Sequence, residues 1–277
     1  MSKLLEYVLA PAPGTQFASS IERAIASGAE SDRLGHAFLG GYAAAITALD
    51  PFVSLTERGA LCATESGGGH PRAIQTTLEN GMLNGTKHFV SGGRLATVLL
   101  VVAKTGDKDG RPELKVARIA ANKPGVTVEQ GAPLDFIPEV PHGAVTFKDA
   151  AVDAILEGDG YERYLKPFRT IEDLHVFGAV LGCLVANGRQ AFPQSQTEQL
   201  LGLLCAILTL GREDPRSPAV HLALAGVLTT AHALVDSLDL TKLDAGFRER
   251  FLRDQPLLRI AGRVREQRRL KAWGEGV

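Results

Sequence analysis

The feature that most constrains the fold is a change of residue pattern near residue 60 and again near residue 154. Between these points, short segments rich in β-branched residues alternate with turn signals such as Asn84-Gly85. Before and after them, apolar residues recur at helical spacing. Many short strands joined by hairpin-type turns favour an antiparallel barrel or sandwich over an alternating β-α-β sheet. The sequence therefore predicts an α+β protein whose β core is flanked by helical segments.

Seven strands are predicted in the middle of the chain, and no GxGxxG or Walker pattern points to a dinucleotide fold instead. They alternate with turn signals at 79–81, 84–85, 91–93 and 106–110. Their ranges are 60–65, 72–79, 81–91, 95–104, 113–121, 124–130 and 143–149.

The helical parts give the chain a three-part division: a short helical segment (1–58), a β-barrel domain (59–157) and a helical bundle (158–277). In the first part, a helix is predicted over Phe17–Ile25 with Thr15 as its N-cap, and a second between Ser31 and Asp50. The second helix contains Gly40 and Gly41, which predict close packing against a neighbour because glycine weakens a helix. In the last part, predicted helices cover 161–189, 195–211, 217–239 and 243–273, and Pro256 is expected to kink or split the last of them.

Composition excludes several classes of protein. The chain has 277 residues, 45% of them hydrophobic, and a net charge of −1, so nucleic acid and anionic membranes are not expected partners. No run of about 18 apolar residues and no leader-type segment is present, so neither a membrane span nor secretion is expected. The three cysteines, Cys62, Cys183 and Cys205, form no CxxC pair and are too few for a disulfide framework. A cytoplasmic location is expected.

Two other kinds of catalytic site find little support. His70, His88 and His142 all lie in the β-rich part, but no carboxylate-histidine spacing accompanies them, so no metal is expected. Ser66 and Ser91 lack the G-x-S-x-G setting of a hydrolase nucleophile.

An ordered set of motifs in the β-rich part resembles the middle domain of the acyl-CoA dehydrogenases. The set begins with the stretch from Cys62 to His70 (CATESGGGH) and continues with Leu83 to Gly93 (LNGTKHFVSGG). An apolar strand from Val98 to Ala103, a Pro-Gly-Val turn at Pro124 and a closing strand from Gly143 to Phe147 follow. The family has a T-E-x-G-x-G segment, an L-N-G-x-K-x-[WF]-[IV]-[TS] strand and a P-G-V strand in this order. The order and spacing of the whole set, rather than any one motif, carry the resemblance.

The resemblance implies roles for individual residues in binding FAD and an acyl-CoA. Thr64 would hold the pyrimidine edge of the flavin, Phe89 and Val90 would cover the ring, and Ser91 would hydrogen-bond near the atom that receives hydride. Gly69 and His70 would contact the acyl-CoA substrate. Without the resemblance, the hydroxyls of Thr64 and Ser91 would be read as satisfied groups of an ordinary barrel interior.

The base implied by the resemblance is Glu172. The segment from Phe168 to Leu174 resembles the helix that carries the catalytic glutamate in isovaleryl- and long-chain-type members, although the arginine that follows it there is Asp173 here. Abstraction of a proton α to a thioester needs a carboxylate held in a dry site. The alternative is an ordinary surface carboxylate near the start of a helix.

Other departures from the family pattern leave two functions open. The chain is shorter than family members, the serine that follows the T-E-x-G-x-G loop is His70, and the segments that hold the FAD diphosphate are missing. The first hypothesis is an FAD-dependent oxidoreductase that dehydrogenates an acyl-CoA, acting as a homodimer or homotetramer. An alternative form of it takes a larger or non-CoA substrate, admitted by the shortened helical segment. The second is a non-redox homologue that keeps the fold for binding or assembly and has lost FAD. The basic run from Arg259 to Lys271 is expected to be a solvated face or, alternatively, to meet CoA phosphates.

Overall fold

In the computed structural model, which describes residues 1–12 and 15–274, the chain forms two units. The helical unit consists of residues 1–45, 135–138 and 170–277, and the β unit of residues 46–134 and 139–169. The predicted first and last segments thus contribute to one and the same unit.

The eight α-helices found in the described residues include one that the sequence patterns did not predict, α1, which covers Ser2–Leu9. It buries Leu4, Tyr7 and Val8. The other helices are α2 (Ser20–Ala29), α3 (Leu34–Leu49), α4 (Lys166–Gly188), α5 (Gln194–Leu210), α6 (Pro218–Ser237), α7 (Ala245–Asp254) and α8 (Gly262–Ala272). A π-helical turn, Gly160–Leu165, leads into α4.

Helix α2 begins later than predicted, and its cap is Ser19 rather than Thr15. The Ser19 side chain accepts a hydrogen bond from the Glu22 N–H, and Glu22 reaches back to the Ser19 N–H. This reciprocal capping box satisfies two donors that the first helical turn cannot pair. Thr15 instead donates to the carbonyl of Ala12, outside the helix.

Close packing at the paired glycines of α3 is confirmed. A Cβ at Gly41 would lie 2.9 Å from the His175 carbonyl oxygen on α4, and one at Gly40 would overlap the Ser27 side chain on α2. Contacts this short leave no room for a side chain. Glycine at these two positions weakens α3, but it allows the three helices to approach one another.

Of the two outcomes predicted at Pro256, a kink or a split, the structure shows the split. Helix α7 ends at Asp254, and a 3-10 turn, Gln255–Arg259, follows. Ala261 then adopts a left-handed backbone with a φ of 62°, and α8 begins at Gly262. None of the residues of α8 is fully buried.

The β unit contains one eight-stranded sheet in its described residues. The strands are β1 (Gly59–Cys62), β2 (Thr77–Glu79), β3 (Met82–Ser91), β4 (Val98–Lys108), β5 (Arg111–Ala120), β6 (Val126–Gln130), β7 (His142–Ala151) and β8 (Ala154–Ile155). Their order is β6-β7-β3-β2-β4-β5-β8, and β1 pairs with β4 off this path.

The predicted antiparallel barrel is corrected by this pairing, because the sheet is mixed. Both β1 and β2 run parallel to β4, whereas the remaining pairs are antiparallel. The predicted strand 72–79 is also reduced to β2, because Pro71–Ala73 forms a 3-10 turn. The N–H groups of Gln75 and Thr76 donate to the Glu65 carboxylate rather than to a neighbouring strand, and ladder pairing starts at Thr77.

The core of the β unit is formed by buried residues of β1, β2, β3, β4, β5 and β7. Strand β4 is buried at six successive positions, Val98–Ala103, whereas β7 alternates between buried and half-buried residues. A continuous apolar run is typical of a strand covered on both faces, and alternation is typical of one covered on a single face.

Two helical stretches are long and apolar enough to cross a membrane, by length and composition alone. In residues 160–188, 78% of the most apolar window is buried inside the protein, as in the core helix of a folded domain. In residues 218–237 the buried share is 33%. The absence of a membrane span stays a prediction from the sequence.

Candidate cofactor and substrate sites

A bulge in β3 sets the direction of Phe89. Across from β7, Lys87 pairs with Val145 and Val90 with Gly143, so β3 has one extra residue between these pairs. Phe89 has a φ of 52° and its side chain is 76% exposed. A left-handed backbone is uncommon for a bulky residue and is found mostly where the surrounding structure imposes it for function. The bulge therefore turns an aromatic ring out of the sheet while Val90 stays buried.

The loop that follows β1 lies directly against this bulge. The His88 N–H donates to the Thr64 carbonyl over 2.8 Å, so the residue before Phe89 is fixed to the start of the loop. The loop turns back at Glu65 and Gly68, which exchange both backbone hydrogen bonds. A Cβ at Gly69 would lie 3.4 Å from the Thr64 hydroxyl, so the two residues lie side by side.

Two hydroxyl groups on these elements are open to a ligand. Thr64 and Ser91 are both half-buried. Neither side-chain hydroxyl has a hydrogen-bond partner among the residues that the structure describes. An exposed ring accompanied by two unpaired hydroxyls matches what a flat aromatic cofactor with a polar edge needs.

His70 has a different setting. Its Nδ1 atom accepts a hydrogen bond from the Arg72 N–H and so caps the short helical turn that begins at Pro71. The ring is exposed and lines an open groove of about 870 Å³ together with Arg72, Arg111 and Glu113. Because side chains of both signs line this groove, its charge alone does not select an anion. The predicted substrate contacts of Gly69 and His70 stay predictions.

An ion pair inside the β unit holds the loop to β3. The Lys87 ammonium lies 2.7 Å from a Glu65 carboxylate oxygen, and the Lys87 side chain is fully buried. Glu65 also accepts hydrogen bonds from the N–H groups of Gln75 and Thr76. Burial lowers the pKa of Lys87, and the contact with Glu65 opposes that shift. Burial would raise the pKa of Glu65, but its hydrogen bonds from Lys87 and the backbone outweigh burial and lower it.

In the helical unit, Glu172 is half-buried on α4 and lines a small cavity of about 80 Å³. The other residues of the cavity wall are mostly apolar: Phe38, Asp173, Val176, Phe177, Val180, Leu257, Leu258, Ile260, Ala261 and Arg265. A carboxylate at the edge of an apolar cavity has the surroundings that a base for carbon acids needs.

Asp173, the neighbour of Glu172, is neutralised by two arginines of α8. The Arg265 Nε atom lies 2.9 Å from one Asp173 oxygen, and Arg268 contacts the other. Arg268 also donates to the buried Thr170 hydroxyl over 2.6 Å. The expectation of a solvated basic face is thus wrong for Arg265 and Arg268, whose side chains are each only 17% exposed.

Sequence reasoning missed the ion pairs and the cavity wall contributed by residues 257–265. The one available signal for the Glu65–Lys87 pair was a lysine in the middle of an otherwise half-apolar strand, within the motif that carried the resemblance. For Asp173 the available signal was an aspartate next to Glu172 at the position where the resemblance leads one to expect an arginine. Neither partner could be assigned from spacing, because 92 residues separate Asp173 from Arg265.

One part of the chain matches a known family in sequence. Residues 60–150 match the sequence model of the acyl-CoA dehydrogenase middle domain. Among curated proteins no significant match was found. The resemblance to the acyl-CoA dehydrogenase family is therefore confirmed, and its clearest part is the β unit.

Similar solved structures cover nearly the whole chain. Butyryl-CoA dehydrogenase from Megasphaera elsdenii superposes with a TM-score of 0.70 at 14% identity, over 99% of this chain and 85% of that one. An FAD-dependent dehydrogenase gives 0.68 at 17% identity, over 97% and 90% of the two chains. Acyl-CoA dehydrogenase from Geobacillus kaustophilus gives 0.62 at 17% identity, over 98% and 89%. At these identities the likeness shows a shared fold.

Proposed function

We propose that this protein is an FAD-dependent oxidoreductase of the acyl-CoA dehydrogenase type, which introduces an α,β double bond into an acyl-CoA thioester. The observation that carries the proposal is Phe89, an exposed aromatic ring on a left-handed residue, accompanied by the unpaired hydroxyls of Thr64 and Ser91. Structures of the same fold include one titled as an FAD-dependent dehydrogenase and two titled as acyl-CoA or butyryl-CoA dehydrogenases, which supports this assignment.

The residues of the β unit fit the ring part of FAD. Phe89 offers a flat apolar surface, Thr64 and Ser91 offer hydrogen bonds to the polar edge, and buried Val90 keeps the bulge in place. When bound, FAD supplies a hydride acceptor for the substrate β-carbon, and two electrons leave with that hydride.

In this mechanism Glu172 takes the proton from the substrate α-carbon, so that the two electrons of that C–H bond form the new C=C bond. The cavity wall beside Glu172 is mostly apolar, and apolar surroundings favour the neutral, protonated form of a carboxylate, so they favour transfer of the proton to Glu172. Asp173 is not a second base, because both of its oxygens accept hydrogen bonds from arginine.

The experiment that tests the proposal is the absorbance spectrum of the purified protein, alone and with added FAD. We expect flavin bands that change on addition of an acyl-CoA. Phe89→Ala is expected to lose at least tenfold in FAD affinity. Phe52→Ala is the matched control, because Phe52 is 78% exposed in the same unit and lies outside the motif strand. A colourless protein that does not bind FAD would contradict the proposal and leave the non-redox homologue as the remaining function.

A second measurement separates binding from chemistry. Glu172→Gln is expected to keep the flavin spectrum. The rate at which acyl-CoA reduces the flavin should fall at least a thousandfold. Glu198→Gln, an exposed carboxylate on α5, should change neither. If the flavin in Glu172→Gln is reduced at the unchanged rate, Glu172 is not the base, and the assignment of FAD as cofactor still stands.

We further propose that the protein associates with copies of itself. The outer face of α6 presents small exposed residues at helical spacing, Ala219, Ala223, Gly226 and Ala233. Small residues allow two helices to approach closely, and a long apolar helix that is only 33% buried in its most apolar window has surface left to cover. The molar mass measured by light scattering is expected to be that of a dimer or tetramer. Ala223→Glu is expected to lower it to that of a monomer. A monomeric wild-type protein would contradict this.

A further inference from the structure

A histidine lies opposite Ser91 on the neighbouring strand. The backbone register places His142 of β7 across from Ser91 of β3. At the next position along the ladder, the Gly92 N–H donates to the Pro141 carbonyl over 2.9 Å, so these two residues form a hydrogen-bonded pair. Because the two kinds of pair alternate along an antiparallel ladder, Ser91 and His142 form a non-hydrogen-bonded pair. Side chains in such a pair share one face and lie close together, with Cβ atoms about 5 Å apart.

This pair lies on the face of the sheet that is turned away from the core. Val90 and Gly143, the residues next to the pair, are buried in the β unit. Since successive side chains of a strand point to opposite faces, Ser91 and His142 point away from the core, and both are half-buried. Phe89, two residues before Ser91, is exposed. The histidine therefore belongs to the same surface as the candidate cofactor contacts.

The hydrogen of the His142 ring is held by the Val140 carbonyl. The Nδ1 atom lies 3.0 Å from that oxygen, which can only accept, so Nδ1 carries the hydrogen. Burial lowers the pKa of His142 from its ordinary value of 6.5, so the ring is neutral at pH 7. In this form the other nitrogen, Nε2, is an acceptor. It has no hydrogen-bond partner among the residues that the structure describes.

This open acceptor complements the two hydroxyls of the site. The hydroxyls of Thr64 and Ser91 can donate or accept, whereas Nε2 of His142 can only accept. The pyrimidine edge of a flavin ring presents one N–H group, at N3, between two carbonyl oxygens. Hydroxyl donors suit the carbonyl oxygens, and the N–H group needs an acceptor, because a polar group left unpaired in a binding site costs affinity.

We propose that His142 is a further cofactor-binding residue, whose Nε2 atom accepts a hydrogen bond from the N3 hydrogen of the flavin ring. That the ligand is a flavin rests on the proposed function. The open acceptor beside Ser91 is a property of the chain itself and can be measured without FAD.

The first measurement is the nitrogen-15 NMR spectrum of His142 in the full-length protein at pH 7, before any cofactor is added. We expect the signals of a neutral ring whose hydrogen is on Nδ1. A ring with its hydrogen on Nε2, or a protonated ring, would overturn the inference whether or not the protein binds FAD.

The second measurement compares the binding of FAD with that of 3-methyl-FAD, in which a methyl group replaces the hydrogen on N3. Quenching of flavin fluorescence gives both affinities. In the unsubstituted protein, 3-methyl-FAD is expected to bind about tenfold more weakly than FAD, because one hydrogen bond is lost. In His142→Leu, FAD itself should bind about tenfold more weakly, and the methyl group should change affinity by less than about twofold. His142→Gln, whose side-chain oxygen can accept, should recover part of the affinity for FAD.

Thr146→Val is the matched control. Thr146 is half-buried on the same face of β7, and its hydroxyl is paired with that of Thr86. This variant should bind both flavins as the unsubstituted protein does. An equal effect of the methyl group in the unsubstituted protein and in His142→Leu would overturn the inference.

The outcomes separate this inference from the proposed function. If the effect of the methyl group depends on His142 but acyl-CoA does not reduce the bound flavin, the contact stands and the redox role does not. If acyl-CoA reduces the flavin and the effect of the methyl group does not depend on His142, the redox role stands and the contact does not. A protein that binds neither flavin overturns both.

Discussion

Lys87 and Glu65 form an ion pair inside the β unit, and this contact joins the middle of β3 to the loop that carries Thr64. The nitrogen-oxygen distance is 2.7 Å, and 0% of the Lys87 side chain and 7% of that of Glu65 are exposed. Two backbone N–H groups complete the hydrogen bonding of the carboxylate. Removing one member leaves the other as a buried charge without its partner, whereas removing both does not.

Lys87→Met is therefore expected to lower the free energy of unfolding by about 3–5 kcal/mol. Lys87→Met combined with Glu65→Gln should recover more than half of this loss. Denaturant unfolding measures both. The control is Lys123→Met, which breaks a half-exposed pair with Asp153 and should cost less than about 1 kcal/mol. Equal losses of unfolding free energy in Lys87→Met and Lys123→Met would show that burial does not determine how much the Lys87–Glu65 pair contributes.

At Phe89, the glycine variant should be more stable than the alanine variant, which is the reverse of the usual order. A left-handed backbone costs a non-glycine residue roughly 1–2 kcal/mol, so Phe89→Gly is expected to be more stable than Phe89→Ala by about 1 kcal/mol. Phe52 has no positive φ, so there Phe52→Gly should be the less stable of the pair. Thermal or denaturant unfolding of the four variants measures this. The same order at both positions would mean that Phe89 is not strained.

His175 should make the helical unit sensitive to acid. Its Nδ1–H donates to the Ile171 carbonyl, so its Nε2 atom accepts from the Ser20 hydroxyl. Burial lowers the pKa of His175 from 6.5 to about 4. Between these values the unfolded state binds a proton that the folded state does not, so stability falls as the pH drops from about 6.5 to about 4. The loss should total about 3 kcal/mol by linkage.

Urea unfolding across this pH range measures the effect. His175→Gln should flatten the profile between pH 6.5 and 4 although it lowers stability at pH 7. An acid slope that persists in His175→Gln would assign it to other groups.

The contact between Asp173 and α8 should decide whether α8 stays in place. Because none of its residues is fully buried, α8 depends on the pairs that Arg265 and Arg268 make with Asp173. Asp173→Asn is expected to cost about 3 kcal/mol and to speed hydrogen exchange along residues 262–272 at least tenfold. Glu266→Gln, which breaks an exposed pair with Arg269 on the same helix, should do neither. Slow exchange in Asp173→Asn would mean that packing against α6 is sufficient.

The sequence allowed the strands of the motif region, close packing at Gly41 and the break at Pro256 to be predicted, because each is signalled by residues near one another in the chain. The partner of Gly41, His175, could not be named, because it lies far along the chain. Thr64 and Ser91 could be named as candidates because the motif fixes their order. The parallel pairing of β1 with β4 could not be predicted, since it joins Gly59 to Val98 over a distance that hairpin signals do not describe. The capping box at Ser19 was overlooked for Thr15, although Ser19 and Glu22 have the expected spacing.

The cavity beside Glu172 could not be predicted from the sequence either. Its wall combines Phe38, a stretch of α4 and residues 257–265, which approach only in the folded helical unit. Helical periodicity indicates that each element has an apolar face, but it does not say which faces meet or how much space remains between them.

The composition of the helical unit has a consequence during synthesis of the chain. Residues 1–45 are made first, and 124 residues (46–169) separate them from the stretch that begins at Thr170. At translation rates of 5–20 residues per second, this interval is roughly 6–25 s. During that time the apolar faces of α2 and α3 have no α4 to pack against, while a β unit is emerging from the ribosome. A nascent chain in this condition is a natural client for a chaperone, and slowing translation across residues 46–169 would lengthen its exposure.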